Sequence, residues 1–241
     1  MHLENTAAVV TGASRGIGLA TARLLADAGA HVYGLARSGG DLEQIAQTLG
    51  DRFSPVVCDV TDAEAVRRAI DGAAEDAGRL DVLVNNAGLG RFGDVDALSV
   101  DDWQVQIDTN LSGVFYCTRA AVPHMKRQGE ERGRDETAGF VVNVASIAGL
   151  IGNPQLSAYN ASKHGLRGFS DAIMKELRPH GIKVSCLYPG SVDTSFGGDD
   201  KDPNPDAMSP ESIASTILHV LQAPHATLIS EVVLRPMVGR K

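Results

Sequence analysis

The stretch Ala7-Ala8-Val9-Val10-Thr11-Gly12-Ala13-Ser14-Arg15-Gly16-Ile17-Gly18 joins a short apolar run to three glycines. Apolar residues at helical period follow from residue 19 to 28, so the order is strand, tight turn and helix. Gly12 permits the turn, and Gly16 and Gly18 allow the backbone to approach a phosphate closely. Because the first N–H groups of a helix favour negative charge, the stretch predicts a phosphate-binding loop.

The same alternation continues along the chain. Helical patterns separate most of the other apolar runs, and the runs lie near residues 6–11, 31–36, 54–58, 80–85, 139–145, 182–188 and 227–234. Strands that alternate with helices predict a parallel, doubly wound sheet. The fifth run, residues 140–145, is nearly all apolar, as expected for a strand that helices cover on both faces. We expect one Rossmann-type α/β domain over residues 1–241, with a seven-stranded parallel sheet.

A second group of residues suits proton transfer. In Tyr159-Asn160-Ala161-Ser162-Lys163, a phenol and an ammonium group stand at helix positions i and i+4, which share a face. A lysine cation beside a phenol favours the phenolate, so we expect Lys163 to lower the pKa of Tyr159. Ser146, at the end of the fifth run, adds a hydroxyl. The same spacing also occurs on surface helices where the lysine stem covers the ring, so the pair depends on its context.

Composition excludes several classes of function. The 22 Lys and Arg are scattered and outnumbered by 30 Asp and Glu, which argues against a nucleic-acid surface. The three cysteines, Cys58, Cys117 and Cys186, have neither disulfide nor zinc spacing, so we expect buried thiols and no metal. No stretch approaches the ~18 apolar residues of a membrane helix, and the first strand begins too early for a signal peptide. We therefore expect a cytoplasmic protein with no membrane or nucleic-acid partner.

With these residues placed, nearly the whole chain resembles the short-chain dehydrogenase/reductase family. The elements that carry the resemblance stand in the family's order: Thr11-Gly12-x-x-x-Gly16-x-Gly18, Asp59, Asn85-Asn86-Ala87-Gly88, Asn110, Ser146, Tyr159-x-x-x-Lys163 and Pro189-Gly190. The resemblance implies a hydride-transfer oxidoreductase that interconverts a ketone or aldehyde with a secondary alcohol or hydroxy acid. It also implies that Asn110, Ser146, Tyr159 and Lys163 are catalytic, with Tyr159 as the general acid and base.

The residues after the second strand indicate the cofactor. An NAD enzyme usually has an acidic residue there, which binds the ribose 2′-hydroxyl, whereas this chain has Ala36-Arg37-Ser38. An arginine fork suits a phosphate, so Arg37, with Arg15 in the glycine loop, favours NADP(H). Either arginine alone is also explained as a solvent-facing side chain.

The resemblance extends to the rest of the cofactor site. Asp59 and Val60 would contact the adenine, although a helix N-cap is the competing role for Asp59. Lys163 would bind the ribose hydroxyls, and Val192 and Thr194 the nicotinamide carboxamide. The expected cofactor-binding residues are Gly12, Ser14, Arg15, Gly16, Ile17, Gly18, Arg37, Ser38, Asp59, Val60, Asn86, Ala87, Gly88, Tyr159, Lys163, Pro189, Gly190, Val192 and Thr194.

Asn110 precedes Ser112 and Gly113, a composition that loosens a helix and can free a backbone carbonyl. By resemblance, this carbonyl would hold a water that joins Lys163 to bulk solvent. The charged stretch at residues 127–136 is expected to be a solvated surface loop.

Substrate identity is the least determined property. The polar stretch at residues 195–208 is expected to form a substrate-binding lid, and residues 90–92, 150–155 and Phe196 are candidate walls. Arg91 is read either as a ligand of a substrate carboxylate or as an exposed loop arginine.

Three functions remain open. A general NADPH-dependent carbonyl reductase is favoured over a 3-oxoacyl-carrier-protein reductase, because the chain end lacks the Gly-Gly motif usual in that subgroup. A non-catalytic NADP-binding redox sensor is disfavoured because all four catalytic positions are intact. By resemblance, the protein is a homotetramer or homodimer, with contacts that include Ala121, Val122, Phe169 and Ile173.

Overall fold

A computed structural model of the chain describes residues 1–133, 136–194, 196 and 204–237. Within these ranges, seven parallel strands form one sheet in the order β3-β2-β1-β4-β5-β6-β7. The strands are β1 (Ala7–Thr11), β2 (His31–Ala36), β3 (Phe53–Val57), β4 (Val82–Asn85), β5 (Gly139–Val144), β6 (Ile182–Pro189) and β7 (Glu231–Leu234). The predicted seven-stranded, doubly wound sheet is confirmed.

Helices cover both faces of this sheet. They are α1 (Gly16–Asp27), α2 (Gly39–Leu49), α3 (Ala63–Ala77), α4 (Val100–Ile107), α5 (Gly113–Arg132), α6 (Ser157–Leu177) and α7 (Pro210–Leu221). Because strand residues alternate between the faces, Ala8 and Val10 of β1 pack in one core cluster and Val9 in the other. The strand order reverses between β1 and β4, and ligands of open α/β sheets bind outside the strand ends at such a point.

The prediction of a surface loop at residues 127–136 was wrong for its first part, because α5 continues to Arg132. The amide of Gln128 is buried and donates to the carbonyls of Leu80 and Ala138, at 3.1 Å each. Arg132 lies 2.8 Å from the fully buried carboxylate of Asp81. These long-range partners stabilise a helical turn that the charge pattern alone does not indicate. Residues 134 and 135 lie outside the described residues.

Two further expectations from composition can be compared with the structure. Cys58, Cys117 and Cys186 are all buried and unpaired, as predicted. No helix in the described ranges is both long and apolar enough to cross a membrane.

Candidate active site

The phosphate-binding loop between β1 and α1 has the backbone that its glycines predict. Gly12 and Gly16 have φ angles of +66° and +55°, in the left-handed region that favours glycine. A Cβ atom on Gly18 would overlap the carbonyl group of Gly12. The loop therefore requires glycine at these positions, and no side chain caps the N-terminus of α1.

Asn86 ties this loop to the end of β4. Its side-chain amide donates to the carbonyls of Thr11 and Gly12, at 3.0 and 3.3 Å. The hydroxyl of Thr11 in turn accepts hydrogen bonds from the backbone N–H groups of Asn86 and Ala87, at 3.0 and 2.9 Å. These reciprocal bonds hold the loop against the end of β4, and the role of the Thr11 hydroxyl in them was not predicted.

A cavity of about 300 Å³ opens beyond the carboxyl ends of the strands and holds most of the expected residues. Gly18, Ser38 and Asn110 do not line it, whereas Leu35, Cys58, Leu89 and Thr109 line it and were not predicted. The expected residues in its wall are Gly12, Ser14, Arg15, Gly16, Ile17, Arg37, Asp59, Val60, Asn86, Ala87, Gly88, Ser146, Tyr159, Lys163, Pro189, Gly190, Val192 and Thr194.

One end of the cavity follows β1, β2 and β3 and is polar and charged. Arg15 and Arg37 are both exposed at its rim. The carboxylate of Asp59 accepts hydrogen bonds from the N–H and hydroxyl of Thr61, at 2.9 and 2.8 Å. Asp62, rather than Asp59, caps α3, because its carboxylate accepts from the first-turn N–H groups. Asp59 is therefore held at the cavity wall by its own turn.

The other end of the cavity brings Ser146, Tyr159 and Lys163 together. Ser146 follows β5, where its hydroxyl accepts a hydrogen bond from the N–H of Ala148 at 3.1 Å and shares another with the Tyr159 phenol. Lys163 is buried one helical turn beyond Tyr159, with its ammonium 5.7 Å from the centre of the phenol ring. The same ammonium donates to the carbonyl of Val144 at 3.0 Å.

The prediction that Lys163 lowers the pKa of Tyr159 was wrong for the chain by itself. Burial raises the pKa of Tyr159 to about 12, even though the hydrogen bond from Ser146 acts in the opposite direction. Burial also lowers the pKa of Lys163 to about 8. Removal from water is therefore the largest cause of both pKa shifts, and it favours the neutral form of each group. A phenol that stays protonated at neutral pH is suited to donate a proton to a developing oxyanion.

Asn110 lies behind this end of the cavity, in a π-helical turn over Asp108–Ser112 that interrupts the helix between α4 and α5. The prediction of a loosened helix is confirmed. The fully buried amide of Asn110 donates to the carbonyl of Leu89 and accepts from its N–H, both at 2.9 Å. It also donates to the hydroxyl of Ser162 at 3.1 Å, which links the segment after β4 to α6.

The turn after β6 completes the wall. Val192 pairs with Met208 in an isolated bridge, and Asp193 donates to the carbonyl of Met208 at 2.8 Å. The expected lid at residues 195–208 is thus joined to this turn at its far end, although residues 195 and 197–203 lie outside the described residues. A Cβ atom on Gly16 would lie 3.2 Å from the methyl group of Thr194, so this turn also closes on the phosphate-binding loop.

Comparison with known proteins assigns the chain to a family. A model of the short chain dehydrogenases matches residues 6–204. The chain belongs to the short chain dehydrogenase family. It is accordingly an oxidoreductase of a family whose members act on small molecules.

Two curated members of the short chain dehydrogenase family illustrate the range of its relatives. An oxidoreductase of Staphylococcus saprophyticus is 33% identical over 241 residues, which cover 98% of this chain and 100% of that protein. The 3-oxoacyl-[acyl-carrier-protein] reductase of Vibrio harveyi is 35% identical over 196 residues, which cover 81% of this chain and 77% of that one.

A solved structure of another member shares the whole fold. The alcohol dehydrogenase of the archaeon Thermococcus sibiricus, complexed with 5-hydroxy-NADP, superposes with a TM-score of 0.89 at 32% identity. The match covers 98% of each chain.

The residues of the cavity fit the nicotinamide dinucleotide that short chain dehydrogenases bind. The φ angles of Gly12 and Gly16 leave backbone, not side chain, against the space beside the start of α1. A pyrophosphate needs such an approach, and the helix N-terminus favours its charge. The exposed guanidinium groups of Arg15 and Arg37 stand at the same end of the cavity.

Proposed function

We propose that this short chain dehydrogenase uses NADP(H) to interconvert a ketone or aldehyde with the corresponding alcohol or hydroxy acid. The observation that carries the proposal is the convergence of Ser146, Tyr159 and Lys163 at one end of a cavity whose other end holds Arg15 and Arg37. A proton donor and a phosphate-binding end in one cavity suit hydride transfer coupled to proton transfer.

Tyr159 is the general acid in the reducing direction. Its buried phenol, with a pKa raised to about 12, carries a proton at neutral pH and can pass it to an adjacent oxyanion. Ser146, which already shares a hydrogen bond with that phenol, orients the same oxygen. NADPH, when bound, supplies the hydride to the carbonyl carbon.

Lys163 and Asn110 support this group from behind. The ammonium of Lys163 is held by its hydrogen bond to the carbonyl of Val144. It also lies close to Gly88, since a Cβ atom added to that glycine would be 3.7 Å from the ammonium. The ammonium thus faces the cavity wall, where it would bind the ribose hydroxyls. Asn110 positions the neighbouring segment through Leu89 and provides the π-helical turn that would order a water for proton exchange.

NADP(H), rather than NAD(H), is the preferred cofactor in this proposal. Arg37 directly follows β2 and, in the described part of the chain, forms no ion pair, so its fork can take up a 2′-phosphate. The complex of the archaeal relative with 5-hydroxy-NADP supports this preference.

The test is the oxidation of NADPH and of NADH, followed at 340 nm, with a panel of ketones, aldehydes and 3-oxo acids. We expect turnover with NADPH in preference to NADH, and loss of turnover in a Tyr159→Phe variant that still binds NADPH. Binding of NADPH without turnover of any carbonyl would contradict the proposal and favour the redox sensor.

A second candidate, reduction of a 3-oxoacyl thioester, is favoured by the relative from Vibrio harveyi. An acetoacetyl thioester discriminates the two functions. Turnover of that thioester well above that of simple ketones would replace the first proposal with the second.

We also propose a cytoplasmic homodimer or homotetramer. Phe115 of α5 is 46% exposed and contacts Phe169 of α6 edge to face, with ring centres 6.3 Å apart. An aromatic pair that spans two helices and leaves the Phe115 ring exposed suits a face between subunits. Sedimentation of a 25.3 kDa species alone would contradict this assembly.

A further inference from the structure

Two phenylalanines contact Tyr159 at the reactive end of the cavity, and Phe196 is the one of the two that lines it. The ring of Phe92 lies edge to face against Tyr159, with centres 6.0 Å apart and an interplanar angle of 84°. The ring of Phe196 lies on Tyr159 at 5.5 Å and 57°. Phe92 is nevertheless 46% exposed, so much of its ring is available for contact beside the phenol. Aromatic faces at this separation suit a third ring in an offset or edge-to-face arrangement.

The backbone on both sides of Phe92 is hydrogen-bonded. The N–H of Arg91 donates to the side chain of Gln106 at 3.1 Å, and Gln106 is fully buried. On the other side, the N–H of Gly93 donates to the carbonyl of Gln155 at 2.9 Å. Gln155 itself has a φ of +63°, a left-handed conformation that is strained for a residue other than glycine. Hydrogen bonds on both sides therefore hold the backbone at Phe92 in place.

In the described part of the chain, most of the charged side chains that line the cavity lie at its other end, away from these rings. Four charged residues of the described chain line the cavity, and three of them, Arg15, Arg37 and Asp59, follow β1, β2 and β3. Arg37 follows β2, and Ser146 follows β5. Three strand spacings of about 4.8 Å separate β2 from β5, so these strands are roughly 14 Å apart.

The fourth charge, the ammonium of Lys163, lies 5.7 Å from the centre of the Tyr159 ring and donates to the carbonyl of Val144. Arg91, the candidate ligand of a substrate carboxylate, lies 3.6 Å from the carboxylate of Asp102, and its side chain is 58% exposed. Among the residues that the structure describes, the substrate end of the cavity thus offers apolar rings, and the cation that lines it, Lys163, is held by a backbone carbonyl.

We propose that the substrate is an uncharged ketone or aldehyde that bears an aromatic or similarly flat apolar group, which packs on Phe92 and Phe196 while its oxygen meets Tyr159 and Ser146. The inference rests on the proposed function and adds the class of substrate. Phe92 is a specificity-determining residue in this arrangement. A hydroxy acid or an acyl thioester would place a polar or extended chain against these rings and gain little from them.

The experiment compares three methyl ketones with NADPH: acetophenone, cyclohexyl methyl ketone and 4-acetylbenzoate. The second replaces the flat ring with a puckered ring of the same carbon number, and the third adds a carboxylate. Each ketone is assayed with the unaltered protein, with Phe92→Ala, and with Val100→Ala as control. Val100 is 80% exposed on α4 and does not line the cavity.

For Phe92→Ala we expect kcat/KM to fall about tenfold with acetophenone and less than about threefold with cyclohexyl methyl ketone. The loss should appear mainly in KM, with NADPH affinity and Tm unchanged, because Phe92 is half exposed and outside the cofactor end. The unaltered protein should prefer acetophenone to 4-acetylbenzoate at least about tenfold. Val100→Ala should leave every ratio unchanged.

Equal losses with the flat and the puckered ring would overturn the inference, as would a preference for 4-acetylbenzoate. Reduction of aliphatic but not aryl ketones would overturn it and leave the proposed function standing. Failure to reduce any carbonyl, in spite of NADPH binding, would overturn both.

Discussion

The two ends of the cavity differ in how much of the wall is formed by backbone and how much by side chains. At the end that follows β1, β2 and β3, the wall is mainly backbone, with glycines in left-handed conformations and an amide side chain bonded to main-chain carbonyls. At the end that follows β5, the wall is side chain, with a phenol, a hydroxyl and two aromatic rings. We expect the first end to bind the cofactor, and the side chains of the second end to bind the substrate and protonate it.

This contrast predicts that substitutions at the two ends have different effects on NADPH binding and on turnover. Changes at the first end should weaken binding of NADPH and leave the chemistry of bound complexes nearly intact. Changes at the second end should leave NADPH affinity intact and reduce turnover or alter the choice of substrate.

The largest effect is expected for Tyr159→Phe. Loss of the phenolic proton should lower kcat by roughly 10³-fold, the scale of general acid catalysis, while the dissociation constant of NADPH changes less than about twofold. Steady-state kinetics and fluorescence titration with NADPH measure the two quantities. A comparable loss of NADPH affinity would erase the distinction between the ends.

The next effect is expected for Gly18→Ala. A Cβ atom there overlaps the carbonyl group of Gly12, so the phosphate-binding loop must shift and NADPH should bind roughly 100-fold more weakly. Gly72→Ala is the matched control, because an added Cβ at that exposed site in α3 meets nothing within 4 Å. The control should bind NADPH normally. If both variants behave alike, the close approach at Gly18 has no role in binding.

A smaller and more selective effect is expected for Arg37→Ala. Loss of a charged hydrogen bond should raise KM for NADPH about 10- to 100-fold and leave KM for NADH nearly unchanged. Arg67→Ala, on the exposed face of α3, serves as control. Equal changes for both cofactors would show that Arg37 does not bind the 2′-phosphate.

The smallest effect concerns stability and involves Lys163, the buried cation of the second end. Burial lowers the pKa of Lys163 from 10.5 to about 8, so between these pH values the unfolded chain binds more protons and stability rises with pH. Below pH 8 the buried amine is protonated, and its burial lowers the free energy of unfolding by the full amount, up to about 3 kcal/mol. Lys163→Met should therefore be inactive but melt several degrees higher than the unaltered protein at pH 7.

Thermal unfolding at pH 7 and pH 10 measures this difference, which should shrink at the higher pH as the native lysine loses its proton. Two results would show that the buried ammonium does not destabilise the protein. One is a difference in Tm between Lys163→Met and the unaltered protein that stays constant with pH, and the other is a lower Tm for the variant at pH 7.

What could be predicted from the sequence follows the same division. The loop of Gly12, Gly16 and Gly18 was predictable because backbone conformation depends on local residue type, and all seven strands lie within a few residues of their expected positions. A loosened helix at Asn110 was also predicted, from the small and polar residues beside it, whereas its π-helical form was not.

Long-range contacts account for what was not predicted. The helical end of α5 depends on Gln128 bonding to residues 80 and 138, and on Arg132 meeting Asp81, contacts that exist only after folding. The direction of the Tyr159 pKa likewise depends on burial, which the spacing to Lys163 does not reveal. Phe92 and Phe196 could be named as walls, but their common contact with Tyr159 required the structure.

The central claim is that hydride transfer is coupled to proton donation by Tyr159, and the most direct test follows the hydride with an isotope label. NADPH that carries two deuterium atoms at C4 of the nicotinamide would be incubated with the protein and acetophenone, and the alcohol analysed by mass spectrometry and NMR. We predict one deuterium on the carbinol carbon, and its absence when Tyr159→Phe replaces the unaltered protein. Alcohol without deuterium at that carbon, or equal labelling by the variant, would contradict hydride transfer coupled to proton donation by Tyr159.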